Sequence, residues 1–483
     1  MQYDVHAPRY QGDAHGSILV VTVVFVGLFS LLFGSLLNYL LTQYHWAGSR
    51  TEEERALDIA EAGVEYYRWH LAHYPDDLRD GTGAAGPYVH VYEDPEVGPI
   101  GEYSLQIGGE TLCGHVQVVH ATSTGHTYQD PSIQRTIVVK IARPTVADYS
   151  YVVDSNVWAG SDRTIIGPYH SNGVIRMDGD NHSAVTSKIG TTSCSGAGLG
   201  GCSGTIAGVY GTGDHPEWWR SAQPDIPFTN FDYDFGQMES LAQSSGIKLN
   251  KISNDATGPY GYSLVLQSNG TGSIYRVTSV TWIPATTPGM QSVSLTEILG
   301  TIGTKRQLIE TRTIPTACPL IYASDRVWLE GTVSGKVTVV ANDTGAAMPD
   351  LFLQNNLTYG TTTGRDGVTV LAERNLLIPL YVPDTMNISG VFIAQKGSFG
   401  RAAYDRSDVS SSYRSYITRT ALNTTGTVVS KLRTGTRWSG TDPDPEGFLT
   451  RNDYYDRSLA KSPPALTPFT SPDFHFIEWR EVQ

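Results

Sequence analysis

Residues 17–41 read SILVVTVVFVGLFSLLFGSLLNYLL, a stretch without a single charged side chain. As a helix rising 1.5 Å per residue it spans about 37 Å, enough to cross a bilayer core of about 30 Å. Tyr39, Tyr44 and Trp46 gather at one end, where an interfacial aromatic belt is expected. A cleaved secretory signal fits this segment poorly. The apolar run is too long, residues 1–16 (MQYDVHAPRYQGDAHG) are only weakly basic, and no A-x-A site follows. The segment therefore predicts a single-pass anchor in the cytoplasmic membrane, with the rest of the chain outside the cytoplasm.

The helix is expected to continue beyond the bilayer. In residues 52–73, EEERALDIAEAGVEYYRWHLAH, the positions Ala56, Ala60, Val64, Tyr67 and Leu71 recur at three- and four-residue spacing and form one apolar face. Pro75 and the Asp76-Asp77 pair end it. A continuous helix over 17–73 is about 85 Å long, with a kink expected at Gly48 and Ser49 where it leaves the bilayer.

A polar leader ending in Gly16, a small residue, an uncharged apolar helix and then an amphipathic one resemble the N-terminal region of type IV prepilins. The stretches GSILVVTVV and ALDIAEAGVEY are similar to minor subunits of the PilX and general-secretion K kind, in which an "AEAG" element lies in the extended helix. The resemblance covers residues 1 to about 75. It implies cleavage between Gly16 and Ser17 by a prepilin peptidase, a membrane location, and association with other pilin-like subunits. It also exposes a departure. Major pilins carry a glutamate at the fifth mature position, which here is Val21; in the family that carboxylate answers a neighbour's N-terminal amine during assembly. Its absence implies a subunit that initiates or caps a filament, with a lone membrane anchor as the alternative.

The chain has 483 residues, more than one hydrophobic core usually organises. Only 17% are charged, while 50 Gly and 27 Tyr accompany abundant Ser and Thr, a balance that suits β structure rich in turns. A net charge of -14 argues against a nucleic-acid partner. One basic stretch, from Lys396 through Arg401, Arg406, Arg414, Arg419, Lys431 and Arg433 to Arg437, reads as a solvated β surface in preference to an anion patch.

After the helix, alternating segments in 81–147 (YSLQIGG, HVQVVHA, IQRTIVVKIA) predict one small antiparallel sheet. From residue 148 the pattern changes to apolar pieces of two to five residues broken by Gly, Asn and Asp: NVWAGSDRTIIGPYHSNGVIRMDGDNHSAVTS, and later LIYASDRVWLEGTVSGKVTVVANDTG, GVTVLAERNLLIP and NISGVFIAQKGSF. These read as rungs of a parallel β-helix, and VWLEGTVSGKVTVVA looks like rungs of exported solenoid domains in pilin-like proteins. The fold expected is thus mainly β with a long N-terminal helix: a membrane-spanning helix, a small β-sheet and an interrupted parallel β-helix, with a β-sandwich as the alternative. The units expected are a leader (1–16), the helix (17–75), the sheet (81–147), a first solenoid part (148–213), an inserted α+β module (214–317), a second solenoid part (318–440) and a Pro-rich tail packed along the solenoid (441–483). Inside the insert, FGQMESLAQSSG predicts a short helix, and GYSLVLQSNGTGSIYRVTSVTWI a strand pair around Asn269-Gly270.

Cys194 and Cys202 bracket a glycine-rich loop, so a disulfide there suits an extracytoplasmic domain, with two free thiols as the alternative. Cys113 and Cys318 lie far apart in sequence, which leaves their pairing open. No GxSxG, HExxH, GxGxxG or CxxC element occurs, and GTVSGK lacks the spacing of a phosphate loop. No catalytic residue, metal site or cofactor is therefore expected. His90, His115, His120 and His126 do not fall on one face. Asp178, Asp180 and Asn181 in MDGDNH read as an Asx turn before a calcium site. Asp162, Arg163, Asp325 and Arg326 sit in equivalent rung turns. Trp158, Trp218, Trp219, Trp282 and Trp328 read as packing residues, with stacking on a surface polysaccharide as the alternative. The function expected is a minor pilin-like or pseudopilin-like component with a ligand-displaying β-rich head. A membrane-tethered carbohydrate-active enzyme is the rival.

Overall fold

A computed structural model of the chain describes residues 3, 15–231, 235–343, 348–361, 363–442 and 444–482. Most of the expected leader lies outside the described residues. Helix α1 (His15–His73) has 59 residues, about 88 Å of helix, and runs unbroken through Gly48 and Ser49. Over its first half every side chain from Ile18 to Thr51 is exposed. The few hydroxyls there bond back to the helix: Thr22 Oγ1 donates to the Ile18 carbonyl at 2.8 Å, Ser30 Oγ to Val26 at 2.7 Å and Thr42 Oγ1 to Asn38 at 2.8 Å. Such back-bonding spares these hydroxyls the cost of facing hydrocarbon unpaired.

The second half of α1 behaves differently. Ala56, Ala60, Val64, Tyr67 and Leu71, the expected apolar face, are all buried, together with Ile59. They pack on strands β1 (Tyr88–Asp94), β2 (Gly98–Leu112), β3 (His115–Thr127) and β4 (Gln134–Ala142), an antiparallel sheet in that order. The approach is close enough to demand small residues. A Cβ on Gly125 of β3 would lie 2.5 Å from both the Ala56 carbonyl and the Ala60 nitrogen, and one on Gly63 would run into Ser123 and the Tyr103 ring. Gly63 is the glycine of the AEAG element, which here has a packing reason.

Two expected boundaries change. The tail was expected only along the solenoid, but its last strand, His475–Val482, pairs antiparallel with β4 and becomes the fifth strand of the small sheet. Its alternation of aromatic and charged residues (FHFIEWREV) matches a half-covered edge. Between them, Ala465 and Thr467 do lie on the solenoid, accepting from Thr338 Oγ1 at 2.5 Å and bonding Thr369 Oγ1 at 2.6 Å.

The remainder is the expected parallel β-helix, in an unexpected spatial order. The first run starts at Tyr151–Val153 and stacks Tyr169–Ser171, Val185–Ser187 and Trp219–Arg220 on it in turn. The second run starts at Ile247–Leu249 and adds Leu320–Ala323, Lys336–Ala341, Gly367–Ala372, Thr385–Ala394 and Thr418–Ser430. The end of this second run then docks on the beginning of the first: Val428–Ser430 beside Tyr151–Val153, and Arg451–Tyr454 beside Arg163–Ile166. The residues 214–317 are consequently not a separate insert. Trp219–Arg220 extends the first run, while Ile247–Leu249 and Tyr262–Leu266 open the second. The expected strand pair forms as Tyr262–Leu266 against Thr271–Val277, and the expected helix as Phe235–Ser244.

One line of rungs has both sides covered, which explains its near-continuous apolar runs. Val339, Val370 and Val428 face the solenoid interior. Val340, Leu371, Ile393 and Val429 face outward, under Ile226, Phe228, Met238 and Leu459. The residues 221–231 and 235–246 contribute Ile226, Phe228, Met238 and Ala242 to that outer side. A disulfide between Cys113, in the β2–β3 turn, and Cys318, at the second run's start, ties the small sheet to the solenoid. Local spacing gives no hint of it, since 205 positions separate the two cysteines.

Candidate functional sites on the helix and at the run junction

Gly16 and Ser17 fall in the first turns of α1, and Val21 follows on its exposed apolar surface. The first carboxylate of the helix is Glu52, beyond the apolar run. Glu52 is buried and spoken for: Thr127 Oγ1 donates to it at 2.5 Å and Arg55 pairs with it at 3.1 Å. The apolar half thus carries no acid able to answer a charged amine.

A second candidate lies where the two solenoid runs meet. Trp158, Gly160, Ser161 and Asp162 arrive from the first run, Arg433, Arg437, Trp438 and Arg451 from the second, and Pro288 with Met290 from the hairpin 281–297; together they line a cleft of about 360 Å³. Its ion pairs also hold the junction. Arg451 makes two 2.8 Å hydrogen bonds to the Asp162 carboxylate, and Arg437 lies 3.2 Å from it. Burial alone would raise the Asp162 carboxyl, but these guanidiniums hold it below its usual range. Behind them Arg163 and Asp453, both buried, pair at 2.6 Å, and Tyr151 Oη donates to the same carboxylate at 2.8 Å. An asparagine ladder follows the second run toward the junction, Asn452 to Asn423 at 2.8 Å and Asn423 to Asn387 at 2.9 Å.

Arg433 differs from its neighbours. It is half-buried in the cleft and pairs with no carboxylate among the described residues. Burial pulls its guanidinium below the usual value with nothing to offset it. The cleft therefore holds three arginines against one already neutralised aspartate, beside the indoles of Trp158 and Trp438. Of the basic stretch found in the sequence, only Arg433 and Arg437 reach this cleft. Lys396 pairs with Glu373, Arg419 with Asp384 and Lys431 with Asp154, while Arg401 is fully buried and donates to backbone carbonyls of Pro379, Leu380 and Tyr416.

The other residues singled out in the sequence are placed as follows. Cys194 and Cys202 are joined by a disulfide around a helical turn. Asp178 is occupied by Trp158 Nε1 at 2.8 Å, Arg176 Nε at 2.7 Å and the Thr212 amide at 3.0 Å, and Asn181 Oδ1 accepts from Trp219 Nε1 at 3.0 Å. The calcium set is thus dispersed. Asp325 accepts the amides of Ile252 and Ser253, and Arg326 pairs with Asp255. His90, His120 and His126 each pair with a different carboxylate, Asp80, Glu110 and Glu102. Trp328 is core, stacked on Phe352 at 5.2 Å, whereas Trp282 is 43% exposed. Sequence reading missed Arg433 and Trp438 as cleft residues, because the run junction that assembles them joins segments nearly 300 positions apart (Asp162 and Arg451, separation 289).

No family model matches the chain, and no curated protein matches it. Among solved structures, the crystal structure of competence-associated pilin ComZ from Thermus thermophilus aligns with a TM-score of 0.34 and 12% identity, over 89% of this chain and 98% of that one.

Proposed function

We propose that this protein is a minor pilin-like or pseudopilin-like component, inserted in the cytoplasmic membrane and carrying its β-rich head outside. The observation that carries the reading is the division of α1: an uncharged, bare first half long enough to cross a bilayer, continuous with a second half packed on an antiparallel sheet. Cleavage by a prepilin peptidase between Gly16 and Ser17 would leave that bare half as the mature N-terminus, ready to associate with other pilin-like subunits.

Within that reading Val21 makes the subunit an initiator or cap. A shaft subunit has to answer the charged amine of an incoming neighbour in hydrocarbon, which a valine cannot do, and leaving the amine unpaired costs several kcal/mol. The head presents the junction cleft as its ligand site. Arginines beside indoles suit an anionic surface polysaccharide, the guanidinium for carboxylate and the ring for the sugar face. The role is binding rather than hydrolysis, since a glycosidase needs two carboxylates and the cleft offers only Asp162, held by Arg451.

Quantitative mass spectrometry of sheared filaments from the native host tests this. A mature N-terminus at Ser17 and copy numbers far below the major subunit are expected. Copy numbers equal to the major subunit overturn the cap, and an intact Met1 overturns the prepilin processing.

A further inference from the structure

The far end of the first run carries an exposed group that neither the helix nor the cleft uses. Asp180 and His182 leave the strand Asp180–Asn181 on the same side, because alternate residues share a face. Asn181, between them, points inward and is 1% exposed; its Oδ1 accepts from Trp219 Nε1 at 3.0 Å. That hydrogen bond, with the parallel pairing of Val185 and Trp219, folds residues 214–219 back over the rung. His215 is thereby brought beside the first two, its ring centroid 5.9 Å from that of His182. One ligand atom from each of Asp180, His182 and His215 lies within 4.8 Å of the other two.

The surroundings add an orienting device. Glu217 Oε1 lies 3.0 Å from His215 Nδ1, and the His215 ring stacks on Trp218 at 4.5 Å. A carboxylate holding Nδ1 fixes the tautomer and leaves Nε2 free to ligate, the arrangement seen around metal-bound imidazoles. His182 Nε2 is hydrogen-bonded to Asp180 Oδ2 at 2.8 Å, a proton that a cation can replace.

We propose that Asp180, His182 and His215 form a zinc(II) site, with Glu217 orienting His215 and a fourth position open to water. Two imidazoles and one carboxylate are a borderline nitrogen-rich set, which favours zinc over calcium or magnesium, whose sites are built from oxygen. With bonds of about 2.0–2.1 Å, tetrahedral ligand atoms sit about 3.3–3.4 Å apart, so the group contracts by roughly an ångström on loading. Surface side chains reach that by rotation about χ1 and χ2. The charges balance: zinc brings two positive charges to the carboxylates of Asp180 and Glu217. A bound ion would clamp residues 214–219 over the last rung and so close an otherwise open end of the solenoid, where unpaired strand edges invite wrong pairing.

The test uses the full chain in detergent micelles, stripped with chelator and then titrated with zinc(II) chloride. One zinc per chain after dialysis, a rise in unfolding midpoint, and intense visible absorption from four-coordinate cobalt(II) in place of zinc are expected. His182→Ala and His215→Ala should each lose the cobalt spectrum, and Glu217→Gln should weaken affinity about tenfold or more while keeping it. His115→Ala, on the distant small sheet, should bind as the parent does. Unchanged far-ultraviolet dichroism in each variant separates lost ligation from lost folding. Failure of the parent to retain zinc, or a doubly substituted His182→Ala/His215→Ala chain that retains it, overturns the site.

Discussion

Two seams hold this molecule together, and they are built from different materials. Where α1 meets the small sheet, the contact is apolar and tight: Ala56, Ala60 and Gly63 against Gly125, Ser123 and Tyr103, with backbone approaching backbone. Where the second solenoid run meets the first, apolar rung pairs such as Val428 with Tyr151 are flanked by buried charge pairs, Arg163 with Asp453 and Arg451 with Asp162. The first seam joins elements adjacent in sequence and needs only shape. The second joins segments nearly 300 positions apart, where parallel strands could slip by a rung; charge pairs that match in only one register are a physical way to fix it.

The difference predicts different failures, and the largest lies at the polar seam. Asp453→Ala leaves the Arg163 guanidinium buried without a counter-charge and removes the acceptor of Tyr151, so a loss of about 3–5 kcal/mol is expected in denaturant unfolding of the micelle-bound chain. A loss below about 1 kcal/mol would mean that the run junction does not depend on this pair. At the apolar seam the corresponding change adds an atom. Gly125→Ala places a methyl against the Ala56 carbonyl and the Ala60 nitrogen, backbone atoms that cannot swing aside, and a cost of about 1–3 kcal/mol is expected by overpacking. Gly27→Ala is the internal control, because nothing lies within 4 Å of that position.

Acidity should separate the seams as well. Glu446 opens the strand that docks on the first run, accepts the Tyr404 amide at 2.6 Å, and is pushed up by burial to about 7. A carboxyl whose folded value is raised binds its proton more tightly in the native state. The resulting stability is fully present below pH 4.5 and is lost as pH rises toward 7, about 3 kcal/mol by linkage. Asp162 works with the opposite sign, but only at the acid end, below the ordinary range of its carboxyl. Stability measured from pH 4.5 to 7.5 should therefore fall more steeply in the parent than in Glu446→Gln, which keeps the contribution of Glu297, a second carboxyl raised by burial. Parallel curves for the two would show that Glu446 is not the titrating group.

The sequence revealed these regions unequally for the same reason. The apolar face of α1 repeats every three or four residues, a period fixed by the helix itself, and each of its five expected positions is buried. Rungs such as VTVV and VTVL are equally local, since a strand covered on both sides must be apolar throughout. The order in which rungs stack is not local. Nothing in the residues 418–430 or 151–153 records that they are neighbours, and expecting sequence order to be spatial order led to an insert at 214–317 that the rung pairing removes. The pairing of the closing strand 475–482 with the small sheet and the Cys113–Cys318 bridge are equally illegible locally, because each joins a partner far along the chain. The cleft inherits that blindness: its residues come from three separated segments.

The smallest expected effect on folding is also the one that tells binding from architecture at the polar seam. Arg451 and Arg437 are engaged with Asp162, so their charges belong to the junction. Arg433 shares the cleft with them but pairs with no carboxylate, and burial disfavours its charge with no return from the fold. Removing a half-buried, unpaired charge should cost little, so Arg433→Ala is expected to unfold within about 0.5 kcal/mol of the parent. Its effect should appear instead in binding. A guanidinium that meets a carboxylate of an anionic glycan contributes about 1.5–3 kcal/mol through charge-assisted hydrogen bonds, equivalent to roughly ten- to hundredfold in affinity. Titration of parent and variant with a uronate-bearing polysaccharide, and with its carboxyl-reduced form, reads this directly. Weaker binding of the charged polymer by the variant alone would assign Arg433 to the ligand. Large destabilisation with unchanged binding would assign it to the seam and remove the main reason for reading the cleft as the head's ligand site.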